Sequence, residues 1–438
     1  MARHELISFL AYQVVQIRTG GLALTVRKFF KGIRFLIIEF PFYFLALPLL
    51  LCIRCLRPFK LVRFGTIGTV VIGNGVFDAE YYLSERELEG STSLDVFYFS
   101  SNQYCNEHWP RMASRKFWVF SFVKYLDVVN KLIPGGEPHV VRLVPVASGS
   151  RDIKGVLHQT KHHISFTYDE NTQGREFLRS IGLTAGETFV CLLVRDNTYK
   201  SQHQQWLKTD WSYHDYRNAD IDTFREAALT SAAAGHWVFR MGKGVTQVFD
   251  VNHPRVIDYA NSPHRDDFLD MWLMAHCRYC ITTGTGLDDI CVAFRRPLVE
   301  VNQLPVGLGR TNQAFTIDLF KYLRWESTQM FLSLDELIET GAITFLRSEF
   351  YRELGIEIIN NTSEEIVAAV EEMEGRLNGT WKEMPTDTKL QKLFWKKLKS
   401  APHFPVRCGW IHPDARVSAS FLRKNHDWFL SGQDGAPS

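Results

Sequence analysis

The sequence predicts an α/β protein of two Rossmann-like doubly wound domains behind an N-terminal membrane-associated helical segment. Three observations carry this. The chain has 438 residues, beyond the roughly 250–300 at which a single hydrophobic core stops growing. From about residue 65, short β-branched and aromatic runs alternate with helical stretches, the pattern of parallel strands joined by crossovers. Several of those runs then end in glycine, threonine and charged residues, at the strand ends where ligands of such sheets bind. With 45% hydrophobic and 22% charged residues the composition is that of a folding chain. The 50 Lys and Arg nearly balance the 48 Asp and Glu, so there is no broad electrostatic case for a nucleic-acid partner.

Residues 1–64 form a basic and apolar region. FLIIEFPFYFLALPLLLCI (Phe35–Ile53) is about nineteen residues, long enough to cross a hydrocarbon core, and is interrupted only by Glu39 and two prolines. It begins too late, and lacks the small-residue site, for a cleavable signal peptide. Arg27, Lys28, Lys31 and Arg34 precede it, and Arg54, Arg57, Lys60 and Arg63 follow. Equal charge at both ends fits poorly with a simple span, and Pro41 and Pro48 should break or kink a helix. A re-entrant or in-plane helix with both ends cytoplasmic accounts for both facts, its cations meeting anionic head groups. A kinked transmembrane helix and a buried soluble helix remain alternatives.

The first α/β domain is expected over 65–165. Strands are predicted at TVVIG (Thr69–Gly73), LDVFYFS (Leu94–Ser100) and FWVFSF (Phe117–Phe122). Helices are predicted over Asp78–Glu89, near Asn106–Arg115 and over Val123–Ile133. The second domain, 166–390, opens with a helix and the buried strand ending in CLLV. It continues with a helix over Asp222–Gly235, a strand over His236–Gly242, a possible strand at Val256–Tyr259 and a helix over Asp266–Cys277. A strand over Tyr279–Thr283, a helix over Leu287–Phe294 and a strand over Pro297–Asn302 follow. In TSEEIVAAVEEMEGRL, Thr362 or Ser363 caps a helix whose first turn carries Glu364 and Glu365. Helices in 391–438 close the chain.

The strand ends hold the candidate site. After CLLV come Arg195, Asp196, Asn197, Thr198 and Tyr199; FRMGKG places Arg240 and Lys243 beside Gly242 and Gly244; VNQLP exposes Asn302 and Gln303. In TTGTGLDD, Gly284 and Gly286 allow a tight turn while Thr282, Thr283 and Thr285 offer hydroxyls. The helix start that follows, near Asp288, directs free N–H groups at a phosphate. An ordinary capped strand-to-helix turn is the alternative. Arg195, Arg217, Arg240 and Lys243 could balance a leaving diphosphate. WSYHDYRNAD (Trp211–Asp220) concentrates polar and aromatic residues on a loop, where His214 or Asp215 could act as acid or base and Arg217 and Asn218 could hold a donor; a hydrogen-bonded surface loop is the competing reading.

Metal sites are not expected. Asp222 of the Asp220/Asp222 pair precedes a helix and reads as a cap, and HQTKHH (His158–His163) has no neighbouring carboxylate or cysteine. CIRC (Cys52, Cys55) and CRYC (Cys277, Cys280) are far apart and read as structural. The eight cysteines form no disulfide framework, which favours a reducing compartment.

RDNTY, YHDYRNADI, FRMG, TTGTGLDD and RRPLVEVN, with the later SEEIVAAVEEM and LQKLFW, resemble a bacterial family of predicted GT-B-type glycosyltransferases associated with surface-polysaccharide biosynthesis. The resemblance covers about residues 65–425 and is densest over 186–305. It implies a GT-B-like architecture with a nucleotide-sugar donor in the C-terminal domain, a glycan or polyprenyl-linked acceptor facing the N-terminal one, and closing helices that cross back to the first domain. It further implies glycosyl transfer without a cofactor at the cytoplasmic face of the inner membrane. Arg195, Asp196, His214, Asp215 and Arg240 would then be catalytic, and Tyr199, Arg217, Asn218, Gly242, Lys243, Thr283, Gly284, Thr285, Gly286, Asp288 and Asn302 would bind donor. A nucleotide-sugar epimerase or hydrolase, or a non-catalytic sugar-nucleotide-binding scaffold, would share the fold.

Overall fold

A computed structural model of the chain describes residues 35–143, 151–196, 212–310 and 312–430, with Val26 and Phe30. Two compact units emerge. The first comprises Met1–Val70, Glu89–Cys105 and Trp109–Leu143; the second comprises Val71–Leu88, Asn106–His108 and Val144–Ser438.

In the first unit a π-helical turn (Phe35–Glu39) leads into helix α1 (Phe40–Cys55). The expected break at the prolines does not occur. Pro41 sits in the first turn, where a missing N–H has no intrahelical partner to lose, and the helix runs through Pro48 between the buried Ala46 and Leu50. Strand β1 (Val62–Ile67) follows, earlier than the predicted Thr69–Gly73. There the chain turns instead: the Thr69 hydroxyl lies 3.2 Å from Ser100 Oγ and donates to the Ser101 carbonyl at 3.1 Å. Ile72 then opens helix α2 (Ile72–Glu89). Val70, Val71 and Ile72 have strand-like propensity, but Gly73 decides the backbone. A Cβ there would lie 2.3 Å from Asp289 Oδ2 and 2.6 Å from the Gly286 carbonyl, so only a glycine lets this helix start, which already belongs to the second unit, pack against the Gly286 turn of the same unit.

Strands β2 (Leu94–Phe99) and β3 (Trp118–Val119) complete a parallel sheet of order β1-β2-β3, with helices α3 (Trp109–Ser114) and α4 (Val123–Leu132). This three-stranded sheet is smaller than the doubly wound one expected.

The second unit is built on seven parallel strands in the order β12-β9-β8-β7-β4-β5-β6. These are β4 (Phe189–Leu193), β5 (Trp237–Arg240), β6 (Val256–Ile257), β7 (Cys280–Thr282), β8 (Leu298–Gln303), β9 (Thr316–Phe320) and β12 (Arg416–Val417). Every residue of β4, β5, β7, β8 and β9 is buried, which is why these strands read as continuous apolar runs without alternation. Helices α5 (Tyr168–Ser180), α6 (Arg225–Ala233), α7 (Asp267–His276), α8 (Asp289–Ala293) and α9 (Ser363–Leu377) alternate with or follow the strands. A separate antiparallel pair, β10 (Tyr322–Trp325) and β11 (Ile356–Ile359), has no counterpart in the sequence prediction. Thr362 caps α9 in a capping box with Glu365. The closing helices α10 (Pro385–Ser400) and α11 (Ala419–Phe429) belong to the second unit. Phe394, Phe421 and Phe429 gather around Phe320 of β9, which gives these helices a core partner within the second unit, where a crossing back to the first domain was expected.

Candidate functional site

Taken from β6 inward, the central strands run third, second, first, fourth, fifth and sixth in chain order. The connections therefore leave β4 in one direction and β7 in the other. A crevice opens at the carboxyl ends of these two neighbours, the position at which doubly wound sheets bind ligands. Arg195, just beyond β4, donates its backbone N–H to Thr283 Oγ1 at 2.8 Å and closes this switch point. Gly284 takes φ +70°, and a Cβ on it would lie 3.2 Å from both Gln303 Oε1 and Glu300 Oε1.

Three cations gather here. The Arg195 side chain is 8% exposed; burial, and then the Arg217 charge, push its pKa down to about 10. Arg217 donates from Nη2 to the Gly284 carbonyl. Lys321, just past β9, is 4% exposed and donates to the Asn218 carbonyl at 2.8 Å. Burial, and then Arg217, push its pKa down to about 7. Among the described residues, none of the three forms a salt bridge with a carboxylate. Beside Lys321 lies a cavity of about 450 Å³ lined by Asp215, Tyr216, Asn218, Tyr351 and Arg352 among others, within the size range of small-molecule sites.

The loop residues of YHDYRNAD come to the same place. They form a 3₁₀ turn (Ser212–Arg217) in which the Asn218 N–H donates to the Asp215 carbonyl at 2.9 Å. The His214 ring packs 4.0 Å from that of Tyr213, and Asp196 is half-buried beside Arg195. Asn197, Thr198, Tyr199 and Trp211 lie outside the described residues.

The glycine-threonine elbow is held by its own side chains. Asp288 turns back onto the elbow: its Oδ2 accepts from Thr282 Oγ1 at 2.7 Å and from the Thr285 N–H at 2.9 Å, and its Oδ1 lies 3.2 Å from Arg310. The following α8 has five residues and carries Asp289 in its first turn. The Thr285 N–H, ahead of the helix start, is taken by Asp288, which braces the elbow from within. Gly286 packs against the glycine of α2 described above. Arg310 also reaches Asp289 at 2.7 Å and Glu300 at 3.5 Å. Burial opposes the Arg310 charge, but Asp289, Asp288 and Glu300 outweigh it and raise its pKa. Burial pushes Asp289 up to about 6, and raises Glu300 and Asp318 as well.

Arg240 and Lys243 are not brought into the cation group's hydrogen bonding. Arg240 is 1% exposed, with Nη1 3.0 Å from Asp258 Oδ1 and 3.2 Å from the Gln247 carbonyl. Asp258 in turn accepts from the Phe249 N–H and from Asn261. Arg240 thus braces the loop after β5. Gly242 turns that loop at φ +150°, and Lys243 pairs with Asp267 at 3.0 Å. Asn302 is buried, its Oδ1 accepting from the Asn361 N–H at 2.7 Å and its N–H donating to Asn361 Oδ1 at 2.8 Å. It clasps β8 to the segment before α9.

The metal-like motifs resolve into structural contacts. Asp220, rather than Asp222, caps the turn before α6, and Asp222 pairs with Arg225 at 2.7 Å. His163 lies 3.2 Å from Glu80 and 2.6 Å from Glu87, carboxylates remote in sequence, while His158 meets His412 at 2.8 Å. All eight cysteines are free, with Cys277 Sγ 3.8 Å from Cys291 Sγ. Among the described residues no group of three or more His, Cys, Asp or Glu is arranged to hold a metal.

Sequence reasoning missed Lys321, Arg310, Glu300 and Asp318. Glu300 and Asp318 stand inside apolar runs, VEV and IDLF, where a lone acid in a buried strand was the available signal.

No protein-family model matches the chain, and no curated protein matches it. Solved structures with a similar course include a glycosyl transferase family 9 protein from Veillonella parvula DSM 2008, 14% identical over 72% of this chain and 97% of that one, with a TM-score of 0.41. An ADP-heptose LPS heptosyltransferase II from E. coli is 12% identical over 59% and 90%, with a TM-score of 0.33. A protein from Listeria monocytogenes described as a UDP-N-acetylglucosamine 2-epimerase is 8% identical over 74% and 98%, with a TM-score of 0.29. Similarity at this level carries no inference about activity.

Proposed function

We propose that the protein is a glycosyltransferase that moves a sugar from a nucleotide-sugar donor to a lipid-linked or growing surface-glycan acceptor at the cytoplasmic face of the membrane. The observation that supports donor binding is the convergence of Arg195, Arg217 and Lys321 at the switch point, with no carboxylate within salt-bridge distance of any of them among the described residues and with Asp215 and Asp196 acting on Arg195 only from farther off. Like charges held together out of water destabilise one another, and a diphosphate placed among them removes that cost. During transfer the bond from the anomeric carbon to the diphosphate oxygen breaks and its electron pair leaves with the diphosphate. Cations already in position stabilise this growing charge. The acceptor oxygen bonds to the anomeric carbon and yields its proton to a nearby base, for which Asp196, His214 and Asp215 are the candidates. The Tyr216 and Tyr351 rings, 5.6 Å apart, offer the adjoining cavity an apolar wall for a nucleoside.

Calorimetric titration with a panel of nucleoside diphosphates and their sugar conjugates tests the reading. One base class should bind, and Arg217→Gln should weaken it by about tenfold or more, equivalent to roughly 1.4 kcal/mol. Absence of binding across the whole panel would defeat the proposal. Product analysis with a binding donor then distinguishes transfer from epimerisation or hydrolysis.

A further inference from the structure

The surface of α1 carries a second inference, independent of the transferase reading. Tyr43, Ala46, Leu50, Ile53 and Arg54, with Glu39 just before its first turn, are its buried or half-buried positions, spaced by about one helical turn. They form one narrow seam. Ala46 and Leu50 pack there with Val123, Leu126 and Val129 of α4. The seam is fixed at both ends: Glu39 Oε2 lies 3.3 Å from Lys124 Nζ and Phe42 stacks on Tyr125 at 5.2 Å, while Arg54 donates to Asn130 Oδ1 at 2.8 Å and to the Pro134 carbonyl at 2.9 Å. The two helices therefore run side by side in the same direction.

Everything else on α1 is exposed and almost wholly apolar. Phe44 is 70% exposed and Leu45 58%, with Leu47, Leu49 and Leu51 also exposed, and Ile37 in the turn before α1 is 69% exposed. At about 100° per residue these positions sweep an arc of roughly 200°. A protein partner packs onto a stripe, as α4 does; an arc this wide suits a medium that wets every side. Beyond its end stand the exposed Arg57 and Lys60, with Phe59 87% exposed between them, a pairing of cations and an apolar ring that suits an anionic lipid interface.

We infer that α1 is seated in the plane of an anionic bilayer, its outer arc in the acyl layer, and does not cross it. The reason is α4. Crossing would carry the Lys131–Asp127 ion pair, 2.7 Å apart, and the Lys124–Glu39 pair into the hydrocarbon with α1, because both ends of α1 are fastened to α4. Charges at that depth are strongly unfavourable.

Vesicle sedimentation of the full chain tests this. Phosphatidylglycerol-containing vesicles should retain it in low salt, and Phe44→Asp with Leu51→Asp, both outside the seam, should weaken retention at least tenfold while circular dichroism stays unchanged. Undiminished retention, or no retention of the unaltered chain, overturns the proposal. So does conversion by the double variant of a dimer into a monomer without lipid, which would identify a second copy as the occupant. Depth of nitroxides attached singly at Cys52 and at Leu45→Cys, in a chain with Cys55→Ser and Cys105→Ser and with Cys52→Ser added for the second site, separates in-plane from spanning. These positions share a face and lie about 10 Å apart along the axis. Equal depths support the in-plane seat; a difference near 10 Å overturns it.

Discussion

Lys321 shows how one residue's surroundings set its chemistry. Burial and the Arg217 charge hold its pKa near 7 in the free protein, and an anion bound beside it favours the protonated amine and raises that value. Binding therefore takes up a proton above about pH 7. Affinity should be level below pH 7 and fall as pH rises, by at most about tenfold per unit. A sugar nucleotide is the right probe, since its diphosphate does not titrate in this range. Calorimetry at pH 6 through 9 should show the slope, and Lys321→Met should bind more weakly and lose it. Arg240 is the converse case. Its place after a strand reads as functional, but its partner is Asp258 in a nearly closed site. Removing one member of a buried pair strands the other, at a cost of about 3–5 kcal/mol, so Arg240→Ala should lower the urea midpoint markedly. The sequence shows which residues are charged and near a strand end. It does not show whether an acid from a distant segment has already met them.

At the scale of the element, the elbow after β7 was legible as a turn and illegible in its direction. TTGTGLDD announces a tight strand-to-helix connection, and Gly284 does adopt a positive φ. Nothing local indicates that Asp288 folds back onto Thr282 and Thr285, because its other partner, Arg310, arrives from beyond β8. Gly284→Ala places a Cβ against Glu300 and Gln303 at a left-handed backbone position, and should cost about 1–3 kcal/mol. It should also weaken donor binding, since the carbonyl that holds Arg217 belongs to the same residue. Arg310→Met removes the ion-pair partner of Asp288, Asp289 and Glu300. Asp289, raised by burial to about 6, is stabilised in its protonated form by folding, so its contribution is complete below its unfolded pKa and is lost as pH rises through about 6. The Arg310→Met penalty, about 3–5 kcal/mol near pH 8, should therefore shrink at pH 5. Urea unfolding at the two pH values checks the sign.

For the whole molecule, the alternation of runs made the parallel α/β class readable, while the apportioning of segments between units was not. A sequence is read as consecutive blocks, whereas α2 and residues 106–108 fold with the second unit although first-unit segments flank them. Glu80 of α2 shows why. It is fully buried, accepts the N–H groups of His163 and Ile164 at 3.0 Å, and lies 3.0 Å from Arg295 Nη2. A boundary near residue 165 would remove both Glu80 and the strap at 151–165 that it fastens. Val76, Phe77 and Tyr81 of α2 are each 1% exposed or less. At about 1.5–3 kcal/mol per buried large apolar side chain, losing them forfeits a sum comparable to the roughly 5–15 kcal/mol that holds a domain folded. A chain of residues 166–438 should consequently show no cooperative urea transition and no nucleotide-induced thermal shift. A cooperative transition in that chain would mean that α2 is dispensable to the seven-stranded sheet, and that the glycine-lined approach of Gly73 to Gly286 is incidental to the site beside it.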